Sequence, residues 1–487
     1  MTVNNLPDEV ILEIFDYYRR SITSYDHQWK ENYAWFNLAH VCRKWRAVTF
    51  ASATRLDLGI TVGPTKPAHI KTILSGPFPI HLDYELVPED GNITRSSVWR
   101  MRTVLRLRDR VRGIAFKFAG GASKASLDNF KKFFKATNCS FPVLESLVLH
   151  FSAGYEPTIP ETFLRGSDLS DLHLRRLELV GVSFPSISKF LLSATSPNLT
   201  DLLIDTALKS PVGTSLLSCL KGMPCLRSLG LFISSSPYFS SQGPSPQPAT
   251  RCLKRAALLS KLTRFCYVGS SVFLNALAAG LSAPSLRDVN IEFRDNTIPS
   301  RSLVVHLPRF FNEIEEHYHA VYVAIVEEVG LWKWVFRLSL LTQPEYIGHC
   351  KPRFELGPYS SRSPESITRL IDTLSTRLTT VEALRVSFDS TVTQSTRIPW
   401  RRFYQQFPGV KALQPEGTNS TQSIVLTLLH QVPGEPNDLP LLPSLEEIDL
   451  GTAPVYESQR KSQLALLKPF VHARQKAGCP VKVFFGQ

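Results

Sequence analysis

The segment NEIEEHYH contains the residue types that most resemble a metal site. Glu313 and His317 stand four residues apart, which places a carboxylate and an imidazole on one face of a helix, and His319 follows. The two histidines would lie about 200° apart around that helix, so they could share one ion only if the helix unwound. We therefore predict a solvated helix face and no cofactor, and we place a metalloenzyme last among the function classes.

The densest basic run, WRMRTVLRLRDRVRGIAFKF, begins at Trp99 and could line phosphate groups. Val98, Met101 and Val104 are spaced as on one face of a helix, so several arginines must lie on the solvent-exposed face of that helix. The strand GIAFKF should follow that helix, and no aromatic platform for stacked bases accompanies the run. The run is best interpreted as a solvated helix face, which disfavours nucleic acid as a partner.

Signatures of common enzyme chemistry are absent from the sequence. The chain contains no P-loop, no G-x-S-x-G nucleophile motif, no H-E-x-x-H zinc motif and no G-x-G-x-x-G dinucleotide motif. Its eight cysteines form no C-x-x-C pair, so neither a structural zinc site nor a disulfide framework is indicated. The sequence favours a binding protein over an enzyme.

The whole chain is basic and shows no membrane or secretory signal. Its 55 Lys and Arg against 42 Asp and Glu give a net charge of +13, which would attract acidic partners if it were gathered on one face. The first residues lack a basic segment followed by an apolar one. The most apolar long segment, from Ala320, is interrupted by Glu327, Glu328, Lys333 and Arg337. We therefore expect a soluble protein of the cytoplasm or nucleus, with no membrane partner.

A phrase of the form L-x-x-L-x-L, often preceded by proline, recurs along the chain. Its last two apolar positions would point to one face of a strand, while the first enters the core from the preceding turn. Helix-like segments such as SISKFLLSAT and SVFLNALAAGLS lie between copies, and RVRGIAF and VEALRVSF are weaker copies. The apolar positions of the clear copies are Leu144, Leu147, Leu149; Leu174, Leu177, Leu179; Leu199, Leu202, Ile204; Leu226, Leu229, Leu231; Leu262, Phe265, Tyr267; Leu286, Val289, Ile291; and Leu445, Ile448, Leu450.

The recurrence resembles a divergent leucine-rich repeat, in which each strand needs its neighbours to bury its apolar face. A globular α/β domain whose strands happen to follow proline and leucine is the alternative. In the repeat interpretation, the position between the two strand leucines is exposed and contacts a target, as at Glu178 or Gly230.

Two segments interrupt the repeats. Residues 234–251 are rich in Ser, Pro and Gln and should form a mobile loop, because so few apolar side chains cannot offset the entropy of ordering. Residues from about 295 to 375 should form an elaborated repeat or an inserted layer. An amphipathic helix is predicted there from the apolar spacing of Phe311, Ile314, Tyr318, Val321, Tyr322, Ile325 and Val329.

The start of the chain predicts two short amphipathic helices. On LPDEVILEIF, Leu6, Val10 and Ile14 fall with Phe15 on one apolar stripe, and acidic residues begin the helix. Two such helices form too small a core to be stable alone, so a partner that covers their remaining apolar faces is expected. The second helix, on WFNLAHVCRKWRAVTF, is predicted from the apolar spacing of Leu38, Val41, Cys42, Trp45 and Val48.

These two helices resemble the F-box, the motif that docks substrate receptors onto the adaptor subunit of SCF (cullin-RING) ubiquitin ligases. LPDEVILEIF fits its first helix and VCRKW fits its V-C-[RK]-x-W signature, although the segment between the helices is longer than in the common motif. The resemblance implies a non-catalytic protein that binds the adaptor and, through it, the cullin. The adaptor-binding residues that it implies are Leu6, Pro7, Glu9, Val10, Ile14, Phe15, Val41, Cys42 and Trp45.

The rest of the chain, including FASATRLDL and FVHARQKAGCPVKVFF, resembles F-box proteins of mushroom-forming fungi. The resemblance implies an α/β protein with a helical F-box module at residues 1–50, a connecting segment and solenoid start at 51–107, and an irregular leucine-rich-repeat-like solenoid at 108–487. The predicted function is that of a ligase substrate receptor with an unknown target protein. In the alternatives, the N-terminal helices only cap the solenoid, or a basic solenoid binds nucleic acid or acidic proteins without any ligase.

Overall fold

The structure is a computed structural model in which the chain divides into two compact units, Met1–Asp201 and Leu202–Gln487. Within its described part, no helix combines the length and the hydropathy that crossing a bilayer requires. The described residues are 6–22, 38, 40–52, 60–63, 78–86, 95–118, 141–151, 157–158, 173–183, 197–206, 213–233, 257–293, 320–328, 333–341, 379–388, 401, 404–416, 441–450 and 457–484.

Helices of the described residues occur at the start of the chain, between strands and near its end. They are α1 (Asp8–Ile22), α2 (Arg43–Ala51), α3 (Arg95–Leu105), α4 (Gly213–Lys221), α5 (Ser271–Gly280) and α6 (Glu457–Lys476). The helix predicted on the arginine run is confirmed as α3, which buries Met101 and Val104 and exposes Arg102. The helix predicted on SVFLNALAAGLS is confirmed as α5.

The sheet of the first unit is parallel throughout its described strands. These strands are β1 (Ile60–Val62), β2 (Ile80–Leu86), β3 (Val111–Phe118), β4 (Ser146–Phe151) and β5 (Arg176–Val180), and they lie side by side in chain order. Ile114, Leu147 and Leu177 are in register across β3, β4 and β5, and all three are buried. Aligned apolar columns of this kind give each strand the neighbour that it needs to bury its face.

The sheet of the second unit is mostly parallel, with an antiparallel pair in its middle. Its strand order is β6-β7-β9-β11-β13-β12-β14-β15-β16-β17, and β13 runs antiparallel to both β11 and β12. A separate two-residue pair joins β8 to β10. The bounds are β6 Asp201–Thr206, β7 Ser228–Ile233, β8 Ala257–Leu258, β9 Arg264–Gly269, β10 Leu281–Ser282, β11 Asp288–Phe293, β12 Ala320–Glu328, β13 Lys333–Leu341, β14 Ala383–Phe388, β15 Ala412–Glu416, β16 Glu447–Asp449 and β17 Lys482–Phe484.

The repeated phrase corresponds to a repeated turn followed by a strand. At its first leucine the amide bonds back three residues, as from Leu226 to Met223 at 3.2 Å and from Leu262 to Leu259 at 3.1 Å. Every apolar position of the seven clear phrases is 4% exposed or less, which confirms the predicted period-two register. RVRGIAF and VEALRVSF are confirmed as strands of the same kind.

One further copy was not predicted. Val410 and Leu413 are buried on the turn and strand around β15, and the amides of Lys411 and Ala412 bond to the carbonyl of Glu382, directly before the neighbouring strand β14. Its sequence, VKALQP, has proline where the other copies have a third large apolar residue, so the sequence pattern did not identify it as a copy.

The helix predicted across residues 311–329 is wrong over its second half. Residues 320–328 form strand β12, which pairs with β13 in antiparallel register from Ala320 opposite Leu341. Val321, Val323 and Ile325 alternate along this segment, and β-branched residues favour strands. The sequence pattern did not distinguish a strand from a helix here, because Val321, Tyr322 and Ile325 also have the spacing of one helix face.

Several predicted features lie outside the described residues. They are the predicted loop at 234–251, the helix-like segment SISKFLLSAT, and the group of Glu313, His317 and His319. Among the residues that the structure does describe, no group of three or more His, Cys, Asp or Glu side chains is arranged to hold a metal ion.

Candidate protein-docking site

Helix α1 has two apolar faces, and among the residues that the structure describes only one of these faces is covered. Ile11 and Phe15 are buried, Phe15 to 1% exposure, while Val10 and Ile14 are 39% and 37% exposed and Tyr17 is 76% exposed. The spacing of 10, 14 and 17 places these three side chains on one side of the helix. We call Val10, Ile14 and Tyr17 the exposed stripe.

The prediction of a single stripe on α1 is therefore wrong. Successive residues of a helix are separated by about 100°, so Ile14 and Phe15 point in different directions. Phe15 enters the core of the helical module, whereas Ile14 faces solvent. The sequence alone could not separate a face covered by the chain itself from one left open.

An aromatic contact holds α1 against α2. The rings of Phe15 and Trp45 meet edge to face, with centroids 5.0 Å apart and planes at 72°. Leu38 and Val48 are buried in the same module. The Trp45 side chain is half-buried and therefore acts mainly within the module rather than as an exposed anchor.

Cys42 sets the start of α2. Its backbone is extended, with φ −157° and ψ 173°, and its sulfur accepts the amide hydrogen of Trp45 at 3.4 Å. Its carbonyl accepts the amide of Arg46 at 3.0 Å. This is the geometry of a helix N-cap, with tryptophan at the third helical position. The predicted continuous helix through Cys42 is therefore wrong, because an N-cap residue does not have helical backbone.

Lys44 connects α2 to the residues just before α1. Its ammonium donates to the carbonyl of Leu6 and lies 3.5 Å from a carboxylate oxygen of Asp8. Asp8 is largely exposed, so the ion pair itself contributes little stability. The hydrogen bond to Leu6 instead fixes where the chain enters the first helix.

The implied adaptor-binding residues fall into two groups. Phe15 is buried, and Leu6, Cys42 and Trp45 are half-buried, so these residues hold the two helices together. A partner can reach the others directly. The exposed members are Pro7, Glu9, Val10, Ile14 and Val41.

Tyr17 was missed by sequence reasoning although the signal was present. It continues the spacing of Val10 and Ile14 by one more turn of α1. Burying apolar surface contributes about 25 cal/mol per Å², so covering the exposed parts of these three side chains would contribute on the order of 1 kcal/mol each. The exposed stripe is therefore suited to binding a complementary apolar surface of another protein.

The two positions predicted to contact a target on the sheet are not freely exposed. The Glu178 side chain is 14% exposed, accepts a hydrogen bond from Arg176 Nε at 2.7 Å, and lies 2.9 Å from His150 Nε2. Burial raises the pKa of Glu178, but the hydrogen bonds and charges of His150 and Arg176 outweigh it and leave that pKa below its ordinary value. Gly230 is buried, and a Cβ there would lie 2.3 Å from Leu203 Cδ1.

Comparison with known proteins assigns the N-terminal helices. A comparison with curated proteins finds no match to this chain. The family model described as F-box-like matches residues 3–54, a span that contains α1, the Cys42 cap and α2. The N-terminal module at residues 3–54 is therefore an F-box-like domain, which supports assigning the chain to the F-box proteins.

Proposed function

We propose that this chain is a non-catalytic substrate-receptor subunit of an SCF-type ubiquitin ligase. F-box domains bind the adaptor subunit of these ligases and, through it, the cullin. The observation that carries the proposal is the exposed stripe on α1, an apolar face within the F-box-like domain that the described chain leaves open.

In this proposal the adaptor covers the exposed stripe together with Pro7 and Val41. Val41 is 54% exposed, directly before the Cys42 cap. Phe15 and Trp45 act indirectly, because they keep α1 and α2 at the separation that presents the stripe. The exposed residues would contact the adaptor directly, and the two aromatic residues would hold them in position.

The remainder of the chain is proposed to hold the target protein. Its repeated turn and strand, with three buried apolar positions in each clear copy, supports a leucine-rich-repeat-like arrangement. The proposed origin among fungal F-box proteins and the proposed location in the cytoplasm or nucleus rest on the sequence resemblance and on the intracellular setting of ubiquitin ligases.

Affinity purification from a eukaryotic cell extract tests this proposal. The tagged chain should recover the adaptor and cullin subunits, and Ile14→Asp should remove both because it puts a carboxylate into an apolar interface. Leu464→Asp is the matched control, since Leu464 is a similarly exposed apolar residue on α6. Recovery of neither subunit by the unaltered chain, or equal recovery by both variants, would refute the proposal.

A further inference from the structure

Helix α3 exposes a tryptophan on its outer side. Trp99 is 58% exposed, whereas Met101, Val104 and Leu105 of the same helix are buried. Tryptophan is highly buried on average, and the buried side of α3 leaves Trp99 on the opposite side of the helix. Among the residues that the structure describes, no aromatic ring contacts its indole. The indole is therefore open to a partner.

Two exposed arginines share this side of α3. Arg102 and Arg106 follow Trp99 by three and seven residues, and at about 100° per residue all three side chains fall within roughly 60° around the helix axis. The Arg106 amide bonds to the Arg102 carbonyl at 3.3 Å, so helical spacing continues to Arg106. The two arginines are about 6 Å apart along the axis. We call Trp99, Arg102 and Arg106 the Trp99 face.

The positive charge of the Trp99 face is not balanced within the described part of the chain. Residues 100–112 contain six arginines and one aspartate. Neither Arg102 nor Arg106 forms an ion pair with a residue that the structure describes. Exposed arginines without a carboxylate partner attract anionic groups from outside the chain.

The described carboxylates around α3 serve other arginines or point away. Glu145 lies 3.6 Å from Arg112 Nε. Asp109 adjoins Arg110, where burial lowers the pKa of the guanidinium and the charge of Asp109 opposes that shift. Asp83 lies on β2, the strand that α3 contacts, but it alternates with buried side chains and so points to the opposite face of the sheet.

We propose that the Trp99 face binds an acidic segment of a partner protein. The segment places an apolar side chain over the indole and carboxylates on Arg102 and Arg106, because a guanidinium pairs with a carboxylate through two parallel hydrogen bonds. The 6 Å separation of the arginines matches carboxylates four residues apart on a helix or two apart on a strand. Tryptophan and arginine are the residue types that contribute most to binding in protein interfaces.

The inference goes beyond the proposed function and stands without it. Helix α3 lies outside the F-box-like domain at residues 3–54, so the Trp99 face and the exposed stripe are separate surfaces. The chain can therefore fail to bind an adaptor and still bind an acidic segment, or the reverse.

Single-stranded nucleic acid fits the Trp99 face less well. Proteins that bind single strands stack successive bases on several aromatic side chains, over sites of roughly 4 to 16 nucleotides. Trp99 is the single aromatic residue of α3, and the face from Trp99 to Arg106 is only about 10 Å long. A short acidic segment of a protein matches that length.

An anionic membrane also fits less well. A helix that lies on a membrane places its apolar face among the lipids. The apolar face of α3, formed by Met101, Val104 and Leu105, is already buried in the protein. One exposed tryptophan remains for the lipid, which is far less apolar surface than such helices insert.

Fluorescence anisotropy of the full chain with labelled probes tests the inference. The main probe is a synthetic peptide in which glutamate alternates with leucine, and control peptides replace every glutamate by glutamine or every leucine by serine. The glutamate–leucine peptide should bind tightest, because charge and apolar contact each contribute. A single-stranded oligonucleotide of equal charge and co-sedimentation with vesicles containing phosphatidylserine represent the two other anionic partners.

A double variant of the Trp99 face tests the charge contribution. Arg102→Gln combined with Arg106→Gln should weaken binding of the glutamate–leucine peptide about tenfold, since two exposed ion pairs are lost. Arg175→Gln combined with Arg227→Gln is the matched control, because it removes the same charge from exposed positions elsewhere. The control should leave affinity within about twofold, since salt screens distant charges.

A second variant tests the apolar contribution. Trp99→Ala should also weaken the peptide about tenfold, because truncating a central interface tryptophan removes much of the binding energy. The backbone carbonyl at position 99, which accepts the Thr103 hydroxyl at 2.9 Å, is retained in this variant. Leu464→Ala is the control at an exposed apolar residue of α6 and should bind as the unaltered chain does. Thermal melting checks that every variant remains folded.

The outcomes separate this inference from the proposed function. Peptide binding that weakens only in the arginine double variant and in Trp99→Ala supports the inference. Equal loss in the control variants, tighter binding of the oligonucleotide or the vesicles, or no peptide binding by the unaltered chain would overturn it. Adaptor capture reports on the ligase role alone, and its absence from the unaltered chain would refute the proposed function without changing the peptide result.

Discussion

The rings of Phe15 and Trp45 meet edge to face at 5.0 Å, and this contact joins the two helices of the F-box-like domain. Phe15 is buried, so its truncation leaves a cavity. We expect Phe15→Ala to destabilise the module by roughly 3 to 5 kcal/mol. Tyr17→Ala, on the exposed side of α1, should change stability by less than about 0.5 kcal/mol.

Hydrogen exchange of the α1 amides measures this difference. Faster exchange in Phe15→Ala with unchanged exchange in Tyr17→Ala is the expected result. Trp45→Ala combined with Leu6→Ala should also abolish adaptor binding by loosening the module, while strands such as β4 stay protected. Unchanged adaptor affinity in that double variant would be evidence against the F-box role.

Cys42 should be replaceable by serine but not by valine. Serine is among the preferred N-cap residues, and its hydroxyl can accept the Trp45 amide in place of the sulfur. Valine has no acceptor, and loss of a cap costs about 1 kcal/mol. Adaptor affinity and melting temperature of Cys42→Ser and Cys42→Val provide the comparison. Equal behaviour of the two variants would show that the cap has no energetic role.

The strand register gives a contrast between residues two positions apart. Leu229 is fully buried on β7, whereas Arg227 is exposed just before it. Leu229→Asp buries an unpaired carboxylate, which costs several kcal/mol and should unfold the second unit. Arg227→Ala should melt at nearly the same temperature as the unaltered chain. Similar melting of both variants would contradict the period-two register.

Glu178 should make stability depend on pH. Its pKa is lowered in the folded chain, so its contribution is present above the unfolded pKa and is lost as pH falls through the folded value. Glu178→Gln should therefore be less stable than the unaltered chain at pH 7, and the difference should shrink under acidic conditions. Glu382→Gln is the control, because Glu382 and its partner Lys411 are both about half exposed. Chemical denaturation across the acidic range measures the difference, and a gap that does not change with pH would contradict it.

The sequence predicted the strands better than the helices and the site. Each phrase has three apolar positions at fixed spacing, and burial of Leu177 and Leu179 follows from that pattern alone. On β12 the same residues satisfied both helical and strand spacing, and only pairing with β13 decides between them. Which side of α1 stays open depends on packing against α2, which local sequence does not contain.

Role assignment within the helical module also required the structure. The V-C-[RK]-x-W spacing predicted that Cys42 and Trp45 bind the adaptor. In the structure Cys42 caps helix α2 and Trp45 packs on Phe15. Glu178 was expected to face a target, but Arg176 on its own strand and His150 on the neighbouring strand β4 hold its carboxylate in place. The Phe15–Trp45 and His150–Glu178 contacts join residues on different elements, so chain order alone does not reveal them.

The affinity of the purified chain for the purified adaptor subunit, measured by calorimetry, tests the central claim most directly. Val10→Asp combined with Ile14→Asp should weaken binding by about a hundredfold or more, because two carboxylates would be buried in an apolar interface. Leu464→Asp should bind as the unaltered chain does, and all three proteins should melt at similar temperatures. Undiminished adaptor affinity in the Val10 and Ile14 double variant would contradict docking through the exposed stripe.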